Sequence, residues 1–240
     1  MALFTTEAVA YPKIDIDLTD ENSAHAALIR LAGEGRRVLE VGPGWGHVTR
    51  VLKQRGCHVT CMELNAEMAA ATEPFCDRMI VANIEAADLG QELSSQRFDV
   101  ITFGDVLEHL RNPVAVLREV KPLLITSGCI VASIPNVSHR SVIYALMLGE
   151  FPYSDDGLLD RTHLRFFTRR SLETMFEEAG FRISAMVRIM NDSFYVSTKP
   201  VPRNSFDRLK NKTFKAVIRA LSHTEALTFQ FVVRAEPVES

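Results

Sequence analysis

Two apolar rhythms alternate along the chain. Short runs of β-branched and other apolar residues predict strands at 36–41, 58–63, 78–83, 98–103, 129–134, 181–189 and 227–235. Between them the apolar positions fall three and four apart: Val48, Val51 and Leu52; then Val116, Leu117 and Val120; then Leu172, Met175, Phe176 and Ala179. That spacing places them on one face of a helix, which can pack on a sheet. The ends are marked as well. Asn22 or Ser23 can cap a helix through Leu31, Asn112 precedes Pro113 at a first helical position, and Gly180 follows the helix that ends near Ala179. Strand and helix in alternation predict an α/β fold, a seven-stranded mostly parallel sheet with helices on both faces. The least regular stretches, 1–21, 150–165 and 190–205, are where lids are expected. Residues 1–36 read as an N-terminal lid and helix, and 37–240 as the main domain with an insertion at about 190–224.

Composition narrows the class. With 47% apolar and 24% charged residues over 240 positions, the chain suits one α/β domain with additions and not a disordered polymer. A formal charge of −3 argues against a surface given over to nucleic acid. Cys57, Cys61, Cys76 and Cys129 show no CxxC spacing, so they read as thiols of a reducing compartment. No run reaches membrane-spanning length, and "MALFTTEAVAY" lacks the basic and apolar regions of a signal peptide. A cytoplasmic protein is expected. One local exception to the acidic balance is Lys199 to Arg219, where Arg203, Arg208, Lys210, Lys212 and Lys215 meet a single Asp207, with Phe206, Leu209, Val217 and Ile218 on one face. It reads as the solvated outer face of a packed helix, and also as a surface for an anionic partner or a homodimer contact.

The stretch "VLEVGPGWGHVTRVL", Val38 to Leu52, passes from strand to helix through Gly42, Gly44 and Gly46. Glycine permits positive φ and lets a ligand lie against bare backbone at a helix start. In a doubly wound sheet the ligand sits at the carboxyl ends of the strands. The second strand ends at Glu63, 21 positions after Gly42, where a carboxylate can accept from a ribose diol. That feature suits NAD equally. Three others do not: the Gly-x-Gly-x-Gly spacing, the acid Glu40 inside the first strand, and Asn83 with Ile84 after the third. Together they resemble a class I S-adenosylmethionine-dependent methyltransferase of Rossmann-like fold, over roughly Val38 to Phe181. The resemblance implies that Glu40 lies near the methionine ammonium and that Gly42, Gly44 and Gly46 line the turn beneath it. It also implies that Glu63 holds the ribose hydroxyls with Leu64 beside it, that Asn83 meets the adenine amino group, and that Ile84 packs on the ring. Asn83 departs from the more usual Asp of the family. Gly104 and Asp105 in "FDVITFGDVLEHL" would lie beside the methionine moiety. The segments "NSAH", "DVLEHL", "IPN" and "GLLDRTHLRFF" resemble bacterial methyltransferases of glycan and natural-product pathways, so the expected reaction is O-methylation of a small metabolite or sugar.

Methylating a hydroxyl requires its proton to leave as the bond forms. Candidate groups follow the fifth strand: His139, Tyr153, Asp155, Asp156, Asp160 and His163. Histidine suits the task best by its ordinary pKa. His163 or His139 is expected to take the proton and His109 to position the acceptor, without a metal. A metal-dependent alternative rests on Asp105, Glu108 and His109 at i, i+3 and i+4, which resemble, with a later His163, the Glu-x-x-Glu-His set of small-RNA 2′-O-methyltransferases and ubiquinone-pathway O-methyltransferases. Trp45, His47, Met62 and Met68 read as packing or solvated residues. A reading from a different class is a cofactor-binding regulatory or scaffold protein without chemistry.

Overall fold

In the computed structural model, residues 15–93, 96–191, 193, 213, 216 and 224–238 are described. Five strands run parallel, as the unbroken apolar runs require: β1 (Arg37–Val41), β2 (His58–Glu63), β3 (Arg78–Val81), β4 (Phe98–Gly104) and β5 (Leu124–Pro135). β6 (Phe181–Met190) and β7 (Thr228–Pro237) complete one sheet in the order β3-β2-β1-β4-β5-β7-β6, with β7 antiparallel to both neighbours. Seven strands are observed where seven were expected. β5 begins five residues before its apolar run, because Leu124 pairs with Phe98 before the ladder shifts register past the polar Thr126, Ser127 and Gly128.

Each face is closed by helices. On one side α1 (Ala24–Ala32) and α2 (His47–Gln54) bring Ala27, Leu28, Ile29, Val48 and Leu52 onto Val38, Val59, Val100 and Val131. Ser23 caps α1, its Oγ accepting from the Ala26 N–H. α1 is thus part of the sheet's own core; the expected lid residues 1–14 lie outside the described residues. α3 (Ala66–Thr72) follows β2. On the opposite side α4 (Leu89–Leu93), α5 (Pro113–Val120) and α7 (Arg169–Glu178) cover Leu39, Ile101, Phe103 and Ile130. Asn112 caps α5, and Thr168 with Ser171 forms a reciprocal cap on α7, each satisfying N–H groups that a helix start leaves orphaned. α6 (Arg140–Met147) follows β5. The basic stretch from Lys199 to Arg219 lies outside the described residues, apart from Thr213 and Ala216.

Register aligns the strand ends. Val41 pairs with Met62 and with Phe103, Glu63 with Val81, and Gly104 with Ser133. Asn83, Glu63, Gly42, Gly104 and Pro135 therefore follow one another along a single edge. Between β1 and β4 the strand order reverses, which opens the crevice at that edge. Among the described residues no helix is long and apolar enough to cross a membrane.

Candidate functional site

The glycine turn is held at backbone angles that other residues resist. Gly42, Gly44 and Gly46 have φ of +66°, +53° and +73°. Two of the three are also demanded by packing: a Cβ on Gly42 would sit 2.6 Å from Val106 Cγ2, and one on Gly46 would sit 2.9 Å from Thr72 Oγ1. Gly44 is different. Nothing lies within 4 Å of its Cβ position, so this glycine keeps the space open. Its carbonyl accepts from Thr72 Oγ1 at 2.7 Å and its N–H donates to Glu63 Oε2 at 3.2 Å. Glu63 Oε1 accepts from the Asn65 N–H at 2.8 Å. Each oxygen thus receives one backbone donor, and a carboxylate has lone pairs left for two more. That is the geometry a vicinal diol needs.

Behind the turn, Glu40 is buried against Thr49 and Cys61, with Cys61 Sγ 3.9 Å from its Oε2. Burial raises its pKa to about 7, partly offset by the side-chain hydrogen bonds of Thr49 and Cys61. Next along the edge, Leu64 is 67% exposed and Ile84 is buried. Asn83 is exposed, and its Oδ1 accepts from the Glu85 N–H at 2.9 Å, so one lone pair of the expected adenine acceptor is spent on its own turn. Asp105 follows Gly104 with φ +54°, the one non-glycine positive φ among the described residues. Its carboxylate accepts from Ser133 Oγ at 3.1 Å and from Gln230 Nε2. Burial lifts its pKa to about 6 against those two bonds. Ser133 and Gln230 were not marked by any motif; the pairing of β5 with β4 brings the first here and that of β7 with β5 the second.

The turn from Leu107 to His109 is a single 3₁₀ turn. Asp105, held by Ser133 and Gln230, precedes that turn, so it lines one cavity with Glu108 and His109 without sharing a helical face with them. Glu108 is 1% exposed, and neither carboxylate oxygen has a hydrogen-bond partner among the described residues. Its main-chain carbonyl accepts from the N–H groups of Leu164 and Arg165, both at 2.9 Å. Those bonds bring His163 over the turn. Ligand-capable atoms of Glu108, His109 and His163 lie within 4.8 Å of one another. The two imidazoles meet edge to face, and His109 Nδ1 lies 3.2 Å from Thr162 Oγ1, which in turn donates to Asp160 Oδ1. Burial, then the charges of Asp105 and Asp160, push the Glu108 pKa well above the ordinary carboxylate range. Burial and the neighbouring His109 hold His163 below the usual imidazole value. A cavity of about 200 Å³ opens here, with Asp156, Asp160 and Gln230 on its walls.

His139 is not in this cavity. It caps α6 and is fully buried, with Nδ1 2.8 Å from Ser141 Oγ and Nε2 2.8 Å from the Asn191 carbonyl. With both ring nitrogens engaged, it anchors the end of β6 to α6 and has no nitrogen left for an acceptor's proton. Of the other candidates, Asp155 pairs with Arg161, and Tyr153 stacks edge to face on Phe151 at the surface.

A sequence model of the family described as "Methyltransferase domain" matches residues 18–185, well over half of the chain. The chain belongs to the class I S-adenosylmethionine-dependent methyltransferases. A ubiquinone biosynthesis O-methyltransferase of Psychrobacter arcticus is 30% identical over 166 residues, covering 65% of this chain and 63% of the relative. One of Aeromonas salmonicida is 26% identical over 165 residues, covering 63% and 65%. The methyltransferase thus spans just under two thirds of the length of these relatives. A 1,6-didemethyltoxoflavin N1-methyltransferase of Burkholderia thailandensis, solved with S-adenosylhomocysteine, shares the fold at 18% identity and a TM-score of 0.56, covering 93% of this chain and 80% of that one. The methyltransferase's cofactor is S-adenosylmethionine.

Proposed function

We propose that the protein transfers a methyl group from S-adenosylmethionine to a hydroxyl oxygen of a small-molecule acceptor seated against Glu108, His109 and His163. The cofactor supplies a methyl group on a sulfonium, already electrophilic, so what the chain must add is alignment and removal of the proton. Glu63 and the turn at Gly44 hold the ribose end, and Glu40 lies behind the methionine end. Oxygen as the acceptor atom is supported by the O-methyltransferase names of the relatives. A sugar or natural-product acceptor is supported by the "GLLDRTHLRFF" resemblance. The four cysteines are free thiols, in keeping with a cytoplasmic setting.

The observation that carries the reading is the state of Glu108. Burying a carboxylate without partners costs several kcal/mol, roughly, unless it is protonated or neutralised. Two imidazoles against it make a nitrogen and oxygen donor set that fits a divalent ion. We therefore move from the metal-free expectation: Glu108, His109 and His163 would hold such an ion, which would lower the pKa of the acceptor hydroxyl. Asp160, through Thr162, fixes the His109 ring. The test is incubation with methyl-labelled S-adenosylmethionine and fractionated cell metabolites, before and after exhaustive EDTA treatment, with O-methyl products assigned by NMR. Label in an O-methyl product, lost on chelation and restored by Mg²⁺ or Mn²⁺, is the expected result. Turnover that survives chelation returns the proton to His163 alone. Cofactor binding with no labelled product in any fraction favours the non-catalytic binding protein.

A further inference from the structure

The two segments that carry the imidazoles also carry arginines two positions on, Arg111 after His109 and Arg165 after His163. These line a separate cleft of about 710 Å³, together with Arg170 and the hydroxyl-bearing Thr168 and Ser171. Glu178 is the single carboxylate among the described residues on its wall. Arginines nearby are spoken for: Arg169 pairs with Glu173 and Glu225, Arg161 with Asp155, and Arg118 donates to the Glu178 carbonyl. Arg165 donates to the Arg111 carbonyl. The guanidiniums of Arg111 and Arg170 have no carboxylate partner among the described residues. Three like charges around one concavity repel until an anion enters, and guanidinium forks match the oxygens of a phosphate.

We propose that this cleft binds the phosphate group of a soluble phosphate ester. A dianion with three terminal oxygens can engage more than one fork at once, whereas a lone carboxylate satisfies a single fork.

The test is titration of protein labelled with ¹⁵N-arginine by pyrophosphate at about 0.15 M salt, where long-range attraction is largely screened. Saturable shifts of the Arg111, Arg165 and Arg170 side chains are expected. In the Arg111→Ala/Arg170→Ala variant affinity should fall about ten-fold or more, roughly the worth of one bidentate contact, and in Arg97→Ala it should not change. Arg97, Arg111 and Arg170 are all exposed, so both variants should keep the fold. No saturable shift, or equal losses in the two variants, overturns the site. Phosphatidylglycerol vesicles that retain the protein through these arginines, with no response to pyrophosphate, overturn the assignment to a soluble ligand.

Discussion

The two halves of the strand edge are built in opposite ways. At the glycine turn Gly44 and Glu63 already have partners: Thr72 donates to Gly44, Gly44 and Asn65 donate to Glu63, and a ligand need only add to what is there. Across the crevice, Glu108 is buried with both oxygens unpartnered among the described residues, beside two imidazoles and two further carboxylates. The first half is a finished cradle. The second holds a carboxyl whose ionisation burial opposes, and the proposed division into a binding half and a chemical half rests on that contrast.

The harshest way to break the contrast is Glu108→Gln. Activity should fall about 100-fold or more, since several kcal/mol of help to the acceptor hydroxyl disappears with the carboxylate. Apo stability should move the other way at neutral pH. Glu108 holds its proton in the folded state to higher pH than the ordinary 4.5, so the folded form binds more protons and stability declines as pH rises above that value. Glutamine removes that decline. Urea melts between pH 5 and 8 check it: a variant less stable than the parent across the range would mean that Glu108 has a partner in solution. Under the same logic His139→Ala should cost stability, because two buried hydrogen bonds go, while the pH profile of the remaining activity stays in place.

Glu40 sharpens the picture from the cradle side. Its proton is held to about pH 7 against an ordinary 4.5, so the apo protein should lose stability as pH rises between those values. The loss is on the order of 3 kcal/mol at most. A cofactor ammonium nearby would draw the Glu40 pKa down, so saturating S-adenosylhomocysteine should flatten this slope. Denaturation against pH with and without that ligand is the measurement. A slope unchanged by ligand would separate Glu40 from the methionine end.

The candidate cradle lies at strand ends that the apolar pattern could locate: Gly42 follows β1, Glu63 ends β2 and Asn83 lies two residues past β3. Their roles toward a cofactor rest on the family resemblance and not on spacing. The acceptor half resisted for physical reasons. Asp105 takes φ +54°, which turns it toward Ser133 and Gln230 and breaks the helical spacing that had grouped it with Glu108 and His109. Gln230 arrives only because β7 enters the sheet antiparallel beside β5, a tertiary choice that no local pattern records. His139 and His163 have similar polar flanks in sequence. What separates them is that Asn191, from the end of β6, closes over one and the Glu108 turn over the other.

Glu63→Ala tests whether the cradle is independent of the charged half. Loss of a charge-assisted acceptor for two hydroxyls should weaken S-adenosylhomocysteine binding by about 1.5 to 3 kcal/mol. Mn²⁺ affinity, read by calorimetry on the same variant, should not change. If both fall together, the halves are one coupled unit and the contrast fails.

The smallest effect is expected at Gly44, and it separates backbone strain from lost space. Alanine there must hold φ near +53°, which costs about 1 kcal/mol, yet its methyl group meets no protein atom within 4 Å. Gly42→Ala shares the strained φ and adds a 2.6 Å approach to Val106, so it should destabilise the fold more. Ligand binding should rank the two the other way. The Gly44 methyl would occupy the open side of the turn, where the proposal puts the cofactor, whereas the Gly42 methyl would meet Val106. Paired melts and S-adenosylhomocysteine titrations of the two variants decide it. Should Gly44→Ala bind as the parent does, the cofactor lies elsewhere along the edge, and the open space at Gly44 serves only the turn.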